Sequence, residues 1–94
     1  MGKRLIERQL RATGARLRGL RDELGTIDAQ LAQLRSDADD LFTDAAIGVV
    51  GAQGEHRRAA EHAETMARHR AKVVAEIASL EQRQDQLLDR LTAG

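Results

Sequence analysis

The sequence predicts an all-α protein whose two helices form an antiparallel coiled-coil hairpin. The composition is the first reason: the 94 residues include no proline and one aromatic residue, Phe42, and 32% of them are charged. Such a composition favours long helices over strands. The second reason is a seven-residue repeat of apolar positions on both sides of a glycine-rich segment. The third is that the two repeats match in reverse across the glycines, so we expect residues 1–94 to form a single hairpin.

The first helix is predicted over residues 3–42. Its apolar residues fall on two series that each step by seven, as the a and d positions of a coiled coil do. A repeat sustained over this length predicts one continuous helix with a single packed seam. The first series consists of Leu10, Leu17, Leu24, Leu31 and Ala38. The second consists of Ile6, Thr13, Leu20, Ile27, Leu34 and Leu41.

A glycine-rich turn is predicted over residues 45–54. We expect Gly48 to end the first helix, Gly51 to relax the turn and Gly54 to start the second helix. The glycine spacing is also found in phosphate-binding loops, but here no strand precedes it and no Lys-Ser or Lys-Thr follows it. A phosphate or other cofactor is therefore not expected.

The same turn carries three aliphatic residues, Ile47, Val49 and Val50. The favoured interpretation is that they pack over the end of the hairpin's own core. The alternative is that they form an exposed docking point for a protein partner.

The second helix is predicted over residues 55–92 and has a wider apolar face than the first. This extra width predicts that two hairpins pair as a homodimer, giving a four-helix bundle. Its seam consists of Ala59, Met66, Val73, Leu80 and Leu87, and of His56, Ala63, Arg70, Ile77, Gln84 and Leu91. The additional apolar line consists of Ala60, Ala67, Val74 and Leu88.

Folding the chain back at Gly48 and Val49 sets the two seams against each other. In this register Thr13 meets Gln84, so two polar seam residues are expected to share a hydrogen-bonded layer that would penalise other registers. The register also sets Arg70 opposite Ile27. Because arginine can pack its stem and extend its charged head, we expect the guanidinium of Arg70 to reach Glu23 or Asp28.

Charge and composition restrict the function classes. The 15 basic and 15 acidic residues give a net charge of zero, which argues against a general nucleic-acid or membrane-surface binder. The absence of cysteine excludes disulfides and thiolate metal sites, and the longest apolar run is too short to cross a bilayer. The three histidines, His56, His62 and His69, lack the spacing of three or four that two ligands of one metal ion need on a helix. We expect a cytoplasmic protein with no metal site.

Basic residues are concentrated at the amino end of the first helix. They can be a solvated helix face, which is the favoured interpretation, or a surface that grips phosphates of a nucleic acid. No aromatic residue accompanies them to stack on bases. The candidate nucleic-acid-binding residues are Lys3, Arg4, Arg8, Arg11 and Arg18.

Two partial resemblances bear on an enzymatic or sensing role. Residues 17–34, with Arg21 and Asp28, resemble the first helix of the all-helical chorismate mutases, but Ala38 and Val49 stand where that family has its second catalytic arginine and its lysine. A second stretch is similar in spacing to the cyclic-di-GMP-binding anti-sigma coiled coils, and two of its five residues, Glu61 and Arg68, also match in kind. The five residues are Glu61, Thr65, Arg68, Lys72 and Glu76.

The sequence therefore favours a non-enzymatic coiled-coil module that binds a protein partner and itself. A small nucleic-acid-associated protein and a helical regulator that senses a nucleotide are the alternatives. No site residue is assigned to catalysis.

Overall fold

A computed structural model describes residues 2–93 and contains two helices, α1 (Lys3–Ala46) and α2 (Ala52–Ala93). The helices contact each other, no strand occurs among the described residues, and the protein is an all-α helical hairpin. Both helices run further into the glycine-rich segment than the sequence predicts, because helical hydrogen bonding continues beyond residue 42 and resumes before residue 55.

The seven-residue series of the sequence correspond to the buried side of each helix. Every member of the four series is buried or half-buried, which confirms the predicted seam positions. The three most enclosed large side chains are those of Leu17, Leu20 and Leu87. Burial of aliphatic side chains along one stripe is the main stabilising contribution available to two helices of this composition.

The contacts divide the chain into two compact units. The terminal unit combines α1 up to Leu24 with α2 from Lys72 onward, and the turn unit is Gly25–Ala71. In the terminal unit, the ion pairs Arg16–Glu76 (2.9 Å) and Arg21–Glu81 (3.7 Å) join the two helices beside the buried leucines. Buried side chains of the turn unit include Ile27, Leu31, Ala38 and Ala52.

The predicted hydrogen-bonded layer in the terminal unit is wrong. Thr13 and Gln84 are both half-buried, but no hydrogen bond joins them among residues 2–93. Their polar atoms stay accessible at the border of the core, so they do not need each other as partners. The buried side-chain polar atom that lacks a partner in the described part of the chain is instead Oε1 of Gln9.

The end of α1 is a glycine-terminated helix cap. Gly48 has a φ of 86°, in the left-handed region, and its N–H donates to the carbonyl of Ala45 at 3.2 Å. The N–H of Val49 donates to the carbonyl of Asp44 at 3.0 Å. These two bonds define a Schellman motif with glycine at the left-handed position. The prediction that Gly48 ends the first helix is confirmed.

The start of α2 differs from the sequence prediction. Gly51, with a φ of 81°, immediately precedes the helix, and its carbonyl accepts the N–H of Glu55 at 3.2 Å. Gly54 lies inside the first turn of α2, so its predicted role as the starting residue is wrong. The helix begins at Ala52, which is buried with an exposed fraction of 3%.

Candidate functional site

The turn between the helices presents an apolar tip, which we define as Ile47, Val49 and Val50. Their exposed fractions are 74%, 49% and 99%. The predicted packing of these side chains over the hairpin's own core is therefore wrong. The left-handed glycines Gly48 and Gly51 turn the backbone within and just after the tip, and the buried side chain next to it is that of Ala52. Three aliphatic side chains are thus held outward on a capped, hydrogen-bonded turn.

A groove beside the turn adds a fourth exposed apolar side chain, that of Phe42. This turn groove has a volume of about 570 Å³, and Ala45, Ala46 and Ala60 form part of its lining. The ring of Phe42 contacts the imidazole of His56, with ring centroids 5.5 Å apart and a tilt of 55°. Because 62% of Phe42 remains exposed, His56 holds an aromatic ring at the surface without covering it.

A second groove in the turn unit contains a salt bridge between the helices. Arg70 donates from Nε to Oδ1 of Asp28, one of the two partners that the sequence predicts for it. This hydrogen bond holds the pKa of the Asp28 carboxyl below its ordinary value, and it raises the pKa of Arg70. We call this the Asp28 groove; it has a volume of about 470 Å³ and is lined by Asp28, Leu31, Ala32, Arg35, Ala67 and Arg70.

A third groove has a different chemical character. Its volume is about 350 Å³, and its lining includes the side chains of Gln30, Gln33, His62 and Met66. Gln33 donates to Asp37 one helical turn further along α1 at 2.9 Å. Leu34 and Met66 also line this groove, and its surface is mainly apolar.

The five candidate nucleic-acid-binding residues lie at the amino end of α1, in the terminal unit. All of their side chains are exposed, and none of them makes an ion pair with another described residue. Four of them, Arg4, Arg8, Arg11 and Arg18, step by three, four or seven and share one helix face. The structure therefore brings together a basic stripe, which we call the arginine stripe: Lys3, Arg4, Arg8, Arg11 and Arg18.

Some of the residues with the nucleotide-sensor spacing have side-chain partners within the protein. Arg68 donates to the hydroxyl of Thr65 at 3.2 Å and lies 4.0 Å from the carboxylate of Glu64. The carboxylate of Glu76 accepts a hydrogen bond from the guanidinium of Arg16. Of the four charged side chains in this set, those of Arg68 and Glu76 have partners, whereas those of Glu61 and Lys72 make no ion pair within residues 2–93.

Within residues 2–93, no three or more His, Asp or Glu side chains are grouped so that they could hold a metal ion. Neither α1 nor α2, over the same residues, has an apolar stretch long enough to cross a lipid bilayer.

The sequence did not identify Phe42 as a surface residue. Phe42 directly follows the seam residue Leu41. The side chain at such a position is buried or exposed depending on the size of the residues opposite it on the other helix. Here the nearby residues on α2 are His56 and Ala60, which are too small or too polar to cover a phenyl ring. The feature of the sequence that indicates this exposure is the presence of small residues near Phe42 on both helices, Ala45 and Ala46 on α1 and Ala60 on α2.

Comparisons of the chain with protein-family models, with curated proteins and with solved structures found no match.

Proposed function

We propose that the chain is a non-enzymatic coiled-coil interaction module: an antiparallel hairpin that self-associates as a homodimer and presents its turn to a protein partner in the cytoplasm. The observation that carries this proposal is the apolar tip. Ile47 and Val50 are 74% and 99% exposed on a turn that is fixed by a helix cap. Clustered exposed aliphatic side chains on an ordered element are typical of protein-binding sites.

The antiparallel direction is supported by the ion pairs of the terminal unit. Arg16 and Glu76 each directly precede a seam residue, whereas Arg21 and Glu81 each directly follow one. Reversing one helix exchanges the two sides of its seam. In an antiparallel pair, a residue that precedes a seam position on one helix therefore faces a residue that precedes a seam position on the other, and residues that follow seam positions likewise face each other. Parallel helices would pair a preceding position with a following one.

Self-association is supported by apolar side chains outside the seam of α2. Val74 and Leu88 have exposed fractions of 39% and 44%, and they continue at helical spacing the line that begins with Ala60 and Ala67. A two-helix chain has one seam and no second layer, and small domains commonly gain the missing burial by oligomerisation.

The test of the partner site uses the double variant I47S/V50S. The tagged wild-type chain and the variant are used to capture proteins from the native cell, and a captured protein is then purified and titrated by calorimetry. We expect the variant to bind that protein at least about tenfold more weakly, the loss expected when central apolar contacts are removed. The control is Leu5→Ser, which removes an exposed apolar side chain in the terminal unit. Equal binding by wild type and double variant would exclude the tip as the contact surface.

A second candidate function, nucleic-acid binding, is favoured by one observation: the arginine stripe is exposed and makes no ion pair within residues 2–93. A mobility-shift experiment at low salt tests it. If the stripe binds phosphates, affinity for DNA or RNA falls steeply with salt, and the slope is reduced by about one unit for each arginine removed. The absence of a shift with either nucleic acid leaves the protein-binding proposal alone.

A further inference from the structure

The side of α1 that carries Phe42 forms a continuous face in the turn unit. Within the turn unit, six residues of α1 step by four and three and therefore lie on one face. Three of them are small or aromatic apolar residues, and the charged ones alternate in sign. We call this the Phe42 face; it consists of Asp28, Ala32, Arg35, Asp39, Phe42 and Ala46.

Both the turn groove and the Asp28 groove open on this face, since Phe42 and Ala46 line the first and Asp28, Ala32 and Arg35 line the second. A projecting ring and a shallow recess floored by alanine thus lie on the same side of one helix. Alanine at such positions allows another helix to approach closely.

The Phe42 face has an internal symmetry. Its six residues are arranged evenly about residue 37, so that reversing the helix exchanges Phe42 with Ala32, Arg35 with Asp39, and Asp28 with Ala46. A twofold axis requires this kind of relation, because residue i must then contact residue j while j contacts i. The exchange sets a large side chain over a small one and a positive charge against a negative one.

The charges on the face are available for such contacts. Asp28 forms an ion pair with Arg70. Arg35 and Asp39 do not form an ion pair with each other, and neither forms one with any other described residue. Both are exposed. The two unpaired charges of one copy are therefore complementary to those of a second copy in the reversed orientation.

We propose that two copies of this chain pack through their Phe42 faces about a twofold axis, with Phe42 of each copy over Ala32 of the other and Arg35 of each copy opposite Asp39 of the other. This inference rests on the self-association proposed above, and it assigns that association to the Phe42 face of α1 rather than to the apolar line of α2. The Asp28–Arg70 salt bridge forms one end of that surface. The apolar tip stays outside the surface and can bind a different partner.

Sedimentation equilibrium of the full chain, from the low to the high micromolar range at low salt, measures the dimer dissociation constant. Phe42→Ser removes the projecting ring, and R35E and D39K each place two pairs of like charges in the interface. We expect each of the three variants to weaken the dimer by about tenfold or more. The matched controls V50S, at the tip, and D40K, which carries the same charge change on another face of α1, are expected to leave the constant unchanged.

Mixing R35E with D39K gives the decisive measurement. In the heterodimer, the glutamate introduced in the R35E chain lies opposite the lysine introduced in the D39K chain, and Asp39 of the R35E chain lies opposite Arg35 of the D39K chain. Both contacts between the chains are then attractive, although positions 35 and 39 within each chain carry like charges. We expect the mixture to regain the wild-type affinity and native mass spectrometry to show the heterodimer in excess over both homodimers. Pairing within one chain cannot produce this rescue.

The outcomes separate the two proposals. A wild-type dimer that is unaffected by Phe42→Ser, or a mixture of R35E and D39K that stays monomeric, overturns the Phe42 face and leaves self-association through another surface. A wild-type chain that stays monomeric over the whole concentration range overturns self-association, and this inference fails with it. Circular dichroism of Phe42→Ser is expected to match wild type, because the ring lies outside the buried seam.

Discussion

The guanidinium of Arg70 reaches across from α2 to the carboxylate of Asp28 on α1, although Arg70 occupies a seam position that would otherwise hold an aliphatic residue. Arg70 is half-buried as a residue, and 42% of its side chain and 48% of that of Asp28 stay accessible. The stem of Arg70 therefore extends the seam while its charge remains partly solvated. An exposed pair of this kind stabilises the hairpin weakly and fixes which residues lie at the same level of the two helices.

The Asp28–Arg70 pair gives the stability of the protein a specific pH dependence. Because the folded-state pKa of Asp28 is lowered, its stabilising contribution is present above about pH 4, the ordinary pKa of aspartate, and is lost as the pH falls through the lowered value. We expect Asp28→Asn to lower the melting temperature at pH 7, and we expect this difference to shrink as the pH is lowered from about 4 toward about 2. Thermal unfolding followed by circular dichroism at intervals between these values measures the difference. Asp40→Asn, at an exposed position of α1, is the control and is expected to show no such convergence.

Leu87 and Leu88 are adjacent in sequence and opposite in environment. The exposed fraction of Leu87 is 0%, whereas that of Leu88 is 44%. We expect Leu87→Ala to lower the free energy of unfolding by about 2–5 kcal/mol, since it creates a cavity in the terminal unit. Leu88→Ala is expected to cost under about 1 kcal/mol, because solvent already covers part of that side chain. Urea unfolding of both variants at one protein concentration makes the comparison, and similar losses in the two would contradict the assigned seam.

The two left-handed glycines of the turn are expected to respond to alanine in the opposite sense from a helical glycine. Gly48 and Gly51 have φ values of 86° and 81°, so Gly→Ala at either position is expected to destabilise by about 1–2 kcal/mol. Gly19 lies within α1 with open space where a Cβ would stand, and Gly19→Ala is expected to stabilise by up to about 1 kcal/mol. Chemical denaturation of the three single variants gives the signs. A stabilising effect at Gly48 would contradict the helix cap.

The seam could be predicted from sequence because burial on a helix follows its periodicity, and a fivefold repeat leaves little choice of face. The contact between Arg70 and Asp28 was within reach for the same reason: once the seams are aligned, few acidic residues are close enough to an arginine at that level. Gly54 was misassigned because glycine is compatible with several turn positions. The left-handed φ values fall on Gly48 and Gly51, and the second helix begins at the buried Ala52, before Gly54.

Surface features were predictable only in part. The position of Phe42 follows from the repeat, but its exposure depends on the size of the residues near it on the other helix. The pairing of Thr13 with Gln84 assumed that two polar residues at one level must bond. Half-buried polar groups can instead stay in contact with solvent, so the assumption had no physical necessity.

Gln9 marks a place in the terminal unit where the sequence is not optimal for stability. Its Oε1 is buried without a hydrogen-bond partner, and such an acceptor costs about 1–3 kcal/mol relative to one that is satisfied. We therefore expect Gln9→Met, which keeps a similar unbranched shape and removes both polar atoms, to raise the free energy of unfolding by about 1 kcal/mol. Gln82→Met is the control, since Gln82 is exposed on α2 and the same replacement there removes no buried acceptor. Urea unfolding of both variants beside wild type decides the matter: a loss of stability in Gln9→Met would mean that the amide of Gln9 is hydrogen-bonded in solution and helps to hold the ends of the two helices together.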